Sequence, residues 1–323
     1  MSFRFGACAA FCLCGLASVP PATAQTWPVK PVRLIVPSSP GGGTDISSRL
    51  IAPRLSQELG QQVVVENRAG AGTMIGSEAV ARAAPDGYTL LMGISTLTIN
   101  PHILRKLAFD AMKDLAPVSQ AVVLPNMLVS HPSLPAKTVK ELIAFARARP
   151  GQLNFGSAGV GTNPHLCMEL FLTMTGLKMV HVPYKGVGPS SVDLIAGHLS
   201  LMMANMLTAG PHIKSGRLRG YGVTGARRSA AAPEFPTIAE AGVPGYEAVQ
   251  WYGVLVPAAT PRDIVTRLHG ALARVLGDPA MKERFAADGA ETIGNTPEEF
   301  AAIMRSDFAK WGKVVRVAGI KPE

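Results

Sequence analysis

Apolar positions along this chain switch repeatedly between strand-like runs and helical spacing. Val32-Arg33-Leu34-Ile35-Val36 is a short apolar run of strand length. Ile46, Leu50, Ile51, Leu55 and Leu59 then recur at helical spacing, and Gly60 supplies a stop. Pro53 lies inside that pattern and should kink the helix or shorten its start. Gln62 to Glu66 reads as the next strand, Ile75 to Ala83 as a second helix and Tyr88 to Met92 as a third strand. This β-α-β-α-β alternation predicts a mainly parallel sheet with helices on both faces.

The pattern resumes in the second half. Strands are predicted at Met127–Ser130, Leu153–Gly156, Val180–Tyr184, Leu199–Met203 and Leu218–Val223. Thr138-Val139-Lys140-Glu141 has the form of a capping box. The C-terminal part is helical: Thr260-Pro261-Arg262-Asp263 and Thr296-Pro297-Glu298-Glu299 each show an N-cap threonine, an N1 proline and an N3 acid. Both halves follow one plan of strand, glycine turn, helix and strand. The expected division is residues 26–124 plus 226–323 as one lobe and 125–225 as the other, with crossovers at Leu124-Pro125 and near Pro233 to Pro236.

The two glycine turns carry the candidate chemistry. They are Pro37-Ser38-Ser39-Pro40-Gly41-Gly42-Gly43-Thr44-Asp45 and Phe155-Gly156-Ser157-Ala158-Gly159-Val160-Gly161-Thr162-Asn163-Pro164-His165. Each joins a strand end to a helix start, where unpaired N–H groups and the helix dipole favour an anion. Glycine allows positive φ and close approach of an anion to the backbone. Ligands of open α/β sheets sit beyond the carboxyl ends of the strands, and both turns lie there. The candidate ligand-binding set is Ser38, Ser39, Gly42, Gly43, Thr44, Ser95, Thr96, Ser157, Ala158, Gly159, Gly161, Thr162, His165, Tyr184 and Asn205. Asp45 would repel an anion and is read as stabilising its own helix. Thr162 or Asn163 is a candidate cap for the second helix.

The N-terminus adds a compartment. Arg4, the largely apolar run Ala7–Val19 and the small triplet Ala22-Thr23-Ala24 form a secretory signal with cleavage after Ala24. The residues before Cys12 and Cys14 are Phe11 and Leu13, where lipidation wants a small side chain. Cys8, Cys12 and Cys14 leave with residues 1–24, so Cys167 is the single cysteine of the mature chain and is expected to be a buried thiol without a disulfide. The remaining chain of about 300 residues suits two domains of ordinary size. The net charge of +9 falls by one when Arg4 is lost, and a modestly basic surface steers anions. No Lys/Arg cluster interleaves with aromatics, so no nucleic acid is expected; Arg227-Arg228 reads as solvated surface.

Enzyme motifs fail one by one. Phe155 replaces the first glycine of a G-x-S-x-G elbow around Ser157. There is no G-x-x-x-x-G-K-[ST] loop, and Pro164 stands where a dinucleotide fingerprint after Gly159-Val160-Gly161 needs its third glycine. The seven histidines are scattered without H-E-x-x-H. No cofactor, no metal and no catalysis are expected, although a Ser/His pair assembled in space stays open.

Taken together, Pro40 to Asp45, Glu66-Asn67-Arg68-Ala69-Gly70-Ala71-Gly72, Pro85 to Leu90, Gly156 to Gly159, His165-Leu166, Val182 to Gly186, Thr237 to Gly242 and Ala259-Thr260-Pro261 resemble, in order and spacing, the Bug family of receptors for tripartite tricarboxylate transporters. The resemblance implies a two-lobed type II periplasmic-binding-protein fold, each lobe a mainly parallel sheet flanked by helices. It implies a small carboxylate as ligand, gripped by the loops Ser38–Asp45 and Ser157–Thr162, a membrane transporter as partner, a periplasmic location and a monomer. Ser200 and Ala204 stand where the family often has acids, which favours a dicarboxylate, an aromatic acid or a neutral-tailed acid over an amino acid. The alternatives are a ligand sensor for a signalling kinase and a hydrolase or isomerase acting on an organic acid.

Overall fold

The computed structural model of the chain describes residues 1–2, 27–229, 231–317 and 320. The predicted leader, from Arg4 through its cleavage point after Ala24, lies outside the described residues, as do Cys8, Cys12 and Cys14.

The first half builds β1 (Val32–Val36), α1 (Gly43–Leu59), β2 (Val63–Asn67), α2 (Met74–Ala81), β3 (Thr89–Ile94) and the short α3 (Thr96–Ile99). β1 pairs in parallel with β2 and β3, Val32 opposite Val63 and Leu34 opposite Leu90. Val32, Leu34 and Val36 share a core with Ile51, Leu55 and Leu59 of α1, while Ile35 faces the opposite core with Leu91. This period of two explains why the sheet carries helices on both faces. α1 runs unbroken through Pro53, which sits on its exposed side. The carbonyl that the proline leaves unpaired lies on that solvent-facing side, and burial of Ile51, Leu55 and Leu59 holds the helix together. Gly60 ends it in the left-handed region at φ 69°.

A long strand, β4 (Leu115–Ser130), leads into the second half: α4 (Val139–Arg147), β5 (Asn154–Ser157), α5 (Asn163–Thr175), β6 (Val180–Pro183), α6 (Val187–Ile195), β7 (Leu201–Asn205), α7 (Met206–Lys214) and β8 (Arg219–Val223). β5 runs parallel to β6 and β7, while β4 runs antiparallel to β7 and β8. The chain returns through β9 (Val249–Pro257), α8 (Arg262–Gly277), α9 (Pro279–Ala286), β10 (Glu291–Thr292) and α10 (Pro297–Val317). β9 is antiparallel to both β3 and β4. The strand order is β2-β1-β3-β9-β4-β7-β5-β6, with β8 and β10 also on β4.

β4 therefore serves both lobes. Leu115 to Pro125 pairs with β9, and Asn126 to Ser130 pairs with β7. The outgoing crossing falls at Pro125/Asn126. The return crossing comes at Ala248/Val249, because Ile238, Val243, Tyr246 and Ala248 share a core with Phe155, Leu166 and Phe171. Residues 232–248, which the sequence reading attaches to the first lobe, thus pack mainly with the second.

The caps sort into those that form and one that does not. Thr138 Oγ1 accepts from Glu141 N–H, and Thr296 completes a reciprocal box with Glu299. Thr260 does not cap α8: its hydroxyl turns back to donate to the Pro257 carbonyl at the end of β9, and α8 begins after Pro261. Removing a reciprocal cap costs about 1 kcal/mol. Thr296→Ala is expected to lower the urea unfolding free energy by that amount, with an unchanged denaturant slope.

Candidate functional site

The first glycine turn joins β1 to α1. Gly41 adopts φ 80°, which a side chain would strain, and Gly42 starts the helix without any side-chain cap. The first N–H groups of α1 have no intrahelical acceptor. Asp45 belongs to the turn itself. Its Oδ2 accepts the Gly41 N–H at 3.0 Å, and its Oδ1 accepts from Arg49 Nε and Asn67 Nδ2, each at 3.0 Å. Burial alone would raise this carboxyl, but the hydrogen bonds from Arg49, Gly41 and Asn67 hold it below its ordinary range. The acid that would repel an anion is thereby turned away and neutralised by Arg49. The hydroxyls of Ser38 and Ser39 are buried without a hydrogen-bond partner.

The second turn joins β5 to α5 and is built differently. Ser157 Oγ accepts the Gly159 N–H at 3.0 Å and lies 2.6 Å from His181 Nε2. The Gly161 N–H donates to His165 Nδ1 at 3.2 Å, and the Thr162 hydroxyl donates to the Gly159 carbonyl at 2.7 Å. The His165 and His181 rings stack with centroids 4.0 Å apart, and His181 lies on Phe155 at 4.9 Å. The N–H groups of Gly159, Gly161 and Thr162 are consequently taken up inside the turn, and Thr162 does not cap α5 with its side chain. The turn is held rigid by two stacked imidazoles and offers less free backbone than its glycine content suggests.

The two turns face one another across a cavity of about 20 Å³. Of the residues expected at the site, Ser38, Gly42, Gly43, Thr44, Thr96, Ala158 and Thr162 line it. Ser39 lies against Gly186 of the other lobe. Ser95 is buried with its hydroxyl unpartnered. Ser157, Gly159, Gly161 and His165 form the supporting turn. Tyr184 points elsewhere, donating to Asp193 Oδ2 at 2.5 Å. Asn205 caps α7 through Thr208 N–H and donates to the Tyr252 hydroxyl at 2.9 Å, which places it behind the wall.

Sequence reasoning missed part of the lining, Thr73, Ile94, Pro164, Val187 and Gln250; Tyr252, which the sequence leaves open between core and ligand cover, lines it too. Thr73 Oγ1 lies 2.8 Å from Thr96 Oγ1, and the Tyr252 hydroxyl donates to Gln250 Oε1 at 3.3 Å. Gln250 carries the one signal that was available, a polar residue beside aromatics in an otherwise apolar run.

Chemically, the cavity presents hydroxyls, an amide and a helix N-terminus, a donor-rich set suited to an oxyanion. Ser157 and His181 do come together in space, the pair the sequence left open. Ser157 is wholly buried and already engaged with Gly159. Burial, and after it the neighbouring His165 imidazole, pull the His181 pKa from 6.5 down to about 3, which makes it a weak base. No carboxylate hydrogen-bonds to it among the described residues. The pair fixes the turn. Burial pushes the Cys167 thiol up to about 12, so it stays protonated, donating to Asn163 Oδ1. Among the described residues no three His, Cys, Asp or Glu side chains gather to hold a metal ion.

Known proteins resemble this chain in sequence and fold. Residues 47–320 match the family model TctC, described as Tripartite tricarboxylate transporter family receptor. Protein BugT of Bordetella pertussis is 39% identical over 303 residues, 93% of this chain and 93% of that protein. The structure of R. palustris Rpa4515 with adipate matches with a TM-score of 0.90 at 39% identity, over 92% of this chain and all of that one. MatC (Rpa3494) from Rhodopseudomonas palustris with bound malate matches with a TM-score of 0.84 at 30% identity, over 90% of this chain and all of that one. The two-lobed α/β fold is common to this chain and these two solved structures.

Two outcomes follow from the geometry. A methyl group on Gly43 would meet Asn205 Oδ1 at 2.6 Å across the lobes. Gly43→Ala is therefore expected to cost about 1–3 kcal/mol, with much of that recovered when Asn205→Ala is added; a double-mutant cycle on unfolding free energies measures the coupling. Because His181 is neutral in the folded protein down to about pH 3 but titrates near 6.5 when unfolded, its contribution to stability is present above pH 6.5 and lost as pH falls towards 3. The slope is at most about 1.4 kcal/mol per pH unit. His181→Gln should flatten the dependence of the unfolding midpoint on pH across that window.

Proposed function

This chain belongs to the tripartite tricarboxylate transporter receptor family, and from that premise we propose that it captures a small organic carboxylate between its lobes and hands it to a membrane transporter. The observation that carries the proposal is the facing pair of turns: the uncapped start of α1 with the unpartnered Ser38 hydroxyl on one side, and the braced Ala158–Thr162 turn on the other. A carboxylate placed there accepts from N–H and hydroxyl groups and completes the buried donors that the fold leaves open. Each charge-assisted bond contributes roughly 1.5–3 kcal/mol. Three or four of them total roughly 5–12 kcal/mol before the costs of association, so the strongest set, at the lowest such cost, reaches about the 8 kcal/mol of a micromolar complex.

The relatives with adipate and malate support an organic acid as the ligand. The net positive charge favours its approach. The lobes move about the β4 and β9 crossings, at Pro125 and Val249. Ser38, Gly42, Gly43, Thr44, Thr96 and Thr162 touch the ligand in this reading, with Thr73, Gln250 and Tyr252 beside them. The ligand leaves unchanged in this reading, since among the described residues no activated nucleophile lines the cavity. The protein works as a monomer in the periplasm after loss of its leader at Ala24.

The test is calorimetric titration with adipate and malate, together with mass spectrometry of the acid before and after incubation. Binding with the acid recovered intact is expected. Ser38→Ala and Thr44→Val should each weaken it about 5- to 30-fold, the equivalent of 1–2 kcal/mol. Consumption of the acid, or full affinity in both variants, would overturn the reading.

A further inference from the structure

Outside the inner cavity lies a second, much larger space, an open groove of about 850 Å³ walled by both lobes. We infer that this groove is the surface by which the closed, loaded protein docks on its membrane transporter, and that the element it receives is an apolar segment of the transporter carrying an acidic side chain. The inference rests on the capture-and-delivery reading above and adds the docking surface and the chemistry of the partner.

The lobe seam shuts the groove off from the inner cavity. A methyl group on Gly72 would fall 2.5 Å from the Val160 carbonyl oxygen, and one on Gly159 would fall 3.0 Å from that of Tyr184 and 3.5 Å from the Gly72 Cα. Beside Gly72 the two backbones leave no space for one further carbon. An acid held between the start of α1 and the Ala158–Thr162 turn therefore stays on the inner side, and the groove is left to another occupant.

The same contacts make the groove depend on closure. Ala71, Gly72 and Ile75 of the first lobe line one side, and Val160, Pro183 and Lys185 of the second line the other. A rotation that parts Gly72 from Val160 also parts these walls. A partner that fills the groove binds the shut form, and by linkage a ligand that shuts the lobes raises the affinity for that partner. A transporter that touched one lobe alone would find the same surface on a loaded and an empty receptor.

The lining has an apolar floor and a cationic rim, the make-up of a protein-binding patch. Ile75 is 52% exposed and lies in the groove with Leu107 and Phe109. Lys106 and Lys185, one from each lobe, stand exposed on the lining, and among the described residues neither has an ion-pair partner. The acid of this wall, Glu78, is already paired with Arg82 at 2.8 Å. The unanswered charge is therefore positive on both walls, and an acidic side chain seated between them complements the two lobes at once. The chain's net charge of +9 repels a second copy and attracts an acidic partner.

The experiment pairs two measurements on the mature chain: calorimetric titration with adipate and malate, and uptake of the same labelled acids by spheroplasts that carry the transporter's membrane components but lack the receptor. Ile75→Asp, and Lys106→Glu combined with Lys185→Glu, are expected to keep acid affinity within about twofold while uptake falls at least about tenfold. Added salt should slow uptake with the unsubstituted chain and have little effect on the residual uptake of the lysine variant. A photo-crosslinker at position 75 should attach to a membrane component of the transporter when acid is present and not without it. The unliganded melting temperature checks each fold, and Ile75→Ser replaces the aspartate variant should that one unfold. Undiminished uptake in either variant would overturn the inference and leave capture standing. So would a parallel loss of acid affinity, which would return the groove to the ligand site, or acid-dependent self-association abolished by the same substitutions, which would make a second copy the occupant. Absence of binding by both acids would overturn the capture reading, and this inference with it.

Discussion

Two helix ends can share one small space only where backbone meets backbone, and this fold meets that constraint with glycine on both sides of its seam. Gly43 lies against Asn205, Gly188 against the Pro40 carbonyl, Gly186 against Ser39 and Gly72 against Val160. A Cβ at Gly72 or Gly188 would clash with backbone of the other lobe, and one at Gly43 or Gly186 with the Asn205 or Ser39 side chain, which would have to move. The glycines are therefore not spare flexibility. They set how near the start of α1 comes to the turn before α5, and that distance decides whether donors from the two lobes reach the same guest.

Close approach alone would be wasted if either turn were loose, and the two turns are stiffened by different means. The first is tied by Asp45, which receives Gly41, Arg49 and Asn67 and so spends its charge within its own lobe. The second is tied by aromatic nitrogen: His165 takes Gly161, and His181 engages Ser157 from the neighbouring strand β6. Both devices neutralise what an anion would find hostile, a free carboxylate on one side and a wandering loop on the other. Pre-organisation of this kind lets hydrogen bonds that are modest in water count for more in a dry site.

Local patterns were legible in the sequence, and long-range ones were not. β1, α1 with its Gly60 stop, and the Thr296 box follow from period, propensity and capping chemistry that act within a few residues. β9 escaped because Val249–Pro257 is buried on both faces and shows no alternation. The N-terminal half of β4 escaped for the same reason, together with its interruption by Pro117 and Pro125. At the site, the glycine turns could be located because their backbone demand is written in residue type. Gln250 and Thr73 could not, because only tertiary packing brings them to the cavity. Conversely, Ser157 and His165 have the chemistry of ligand contacts, and only the tertiary neighbours His181 and Phe155 turn them inward.

Topology adds a restriction on how such lobes can move. β4 and β9 pair antiparallel from Leu115/Pro257 to Pro125/Val249, with register shifts at Pro117/Ser119 and Gln120/Val122, and immediately beyond, at Asn126/Asn205, β4 changes its partner to β7. Sliding one strand past the other would break this ladder, so shear between the lobes is costly while bending is not. Proline at the point of exchange offers no N–H to either sheet, which leaves that point the least restrained along the strand. A rotation there moves each turn as a rigid unit with its own sheet. The chemistry of the site is then fixed within each lobe, and closure changes only the separation between donor sets, not their internal geometry.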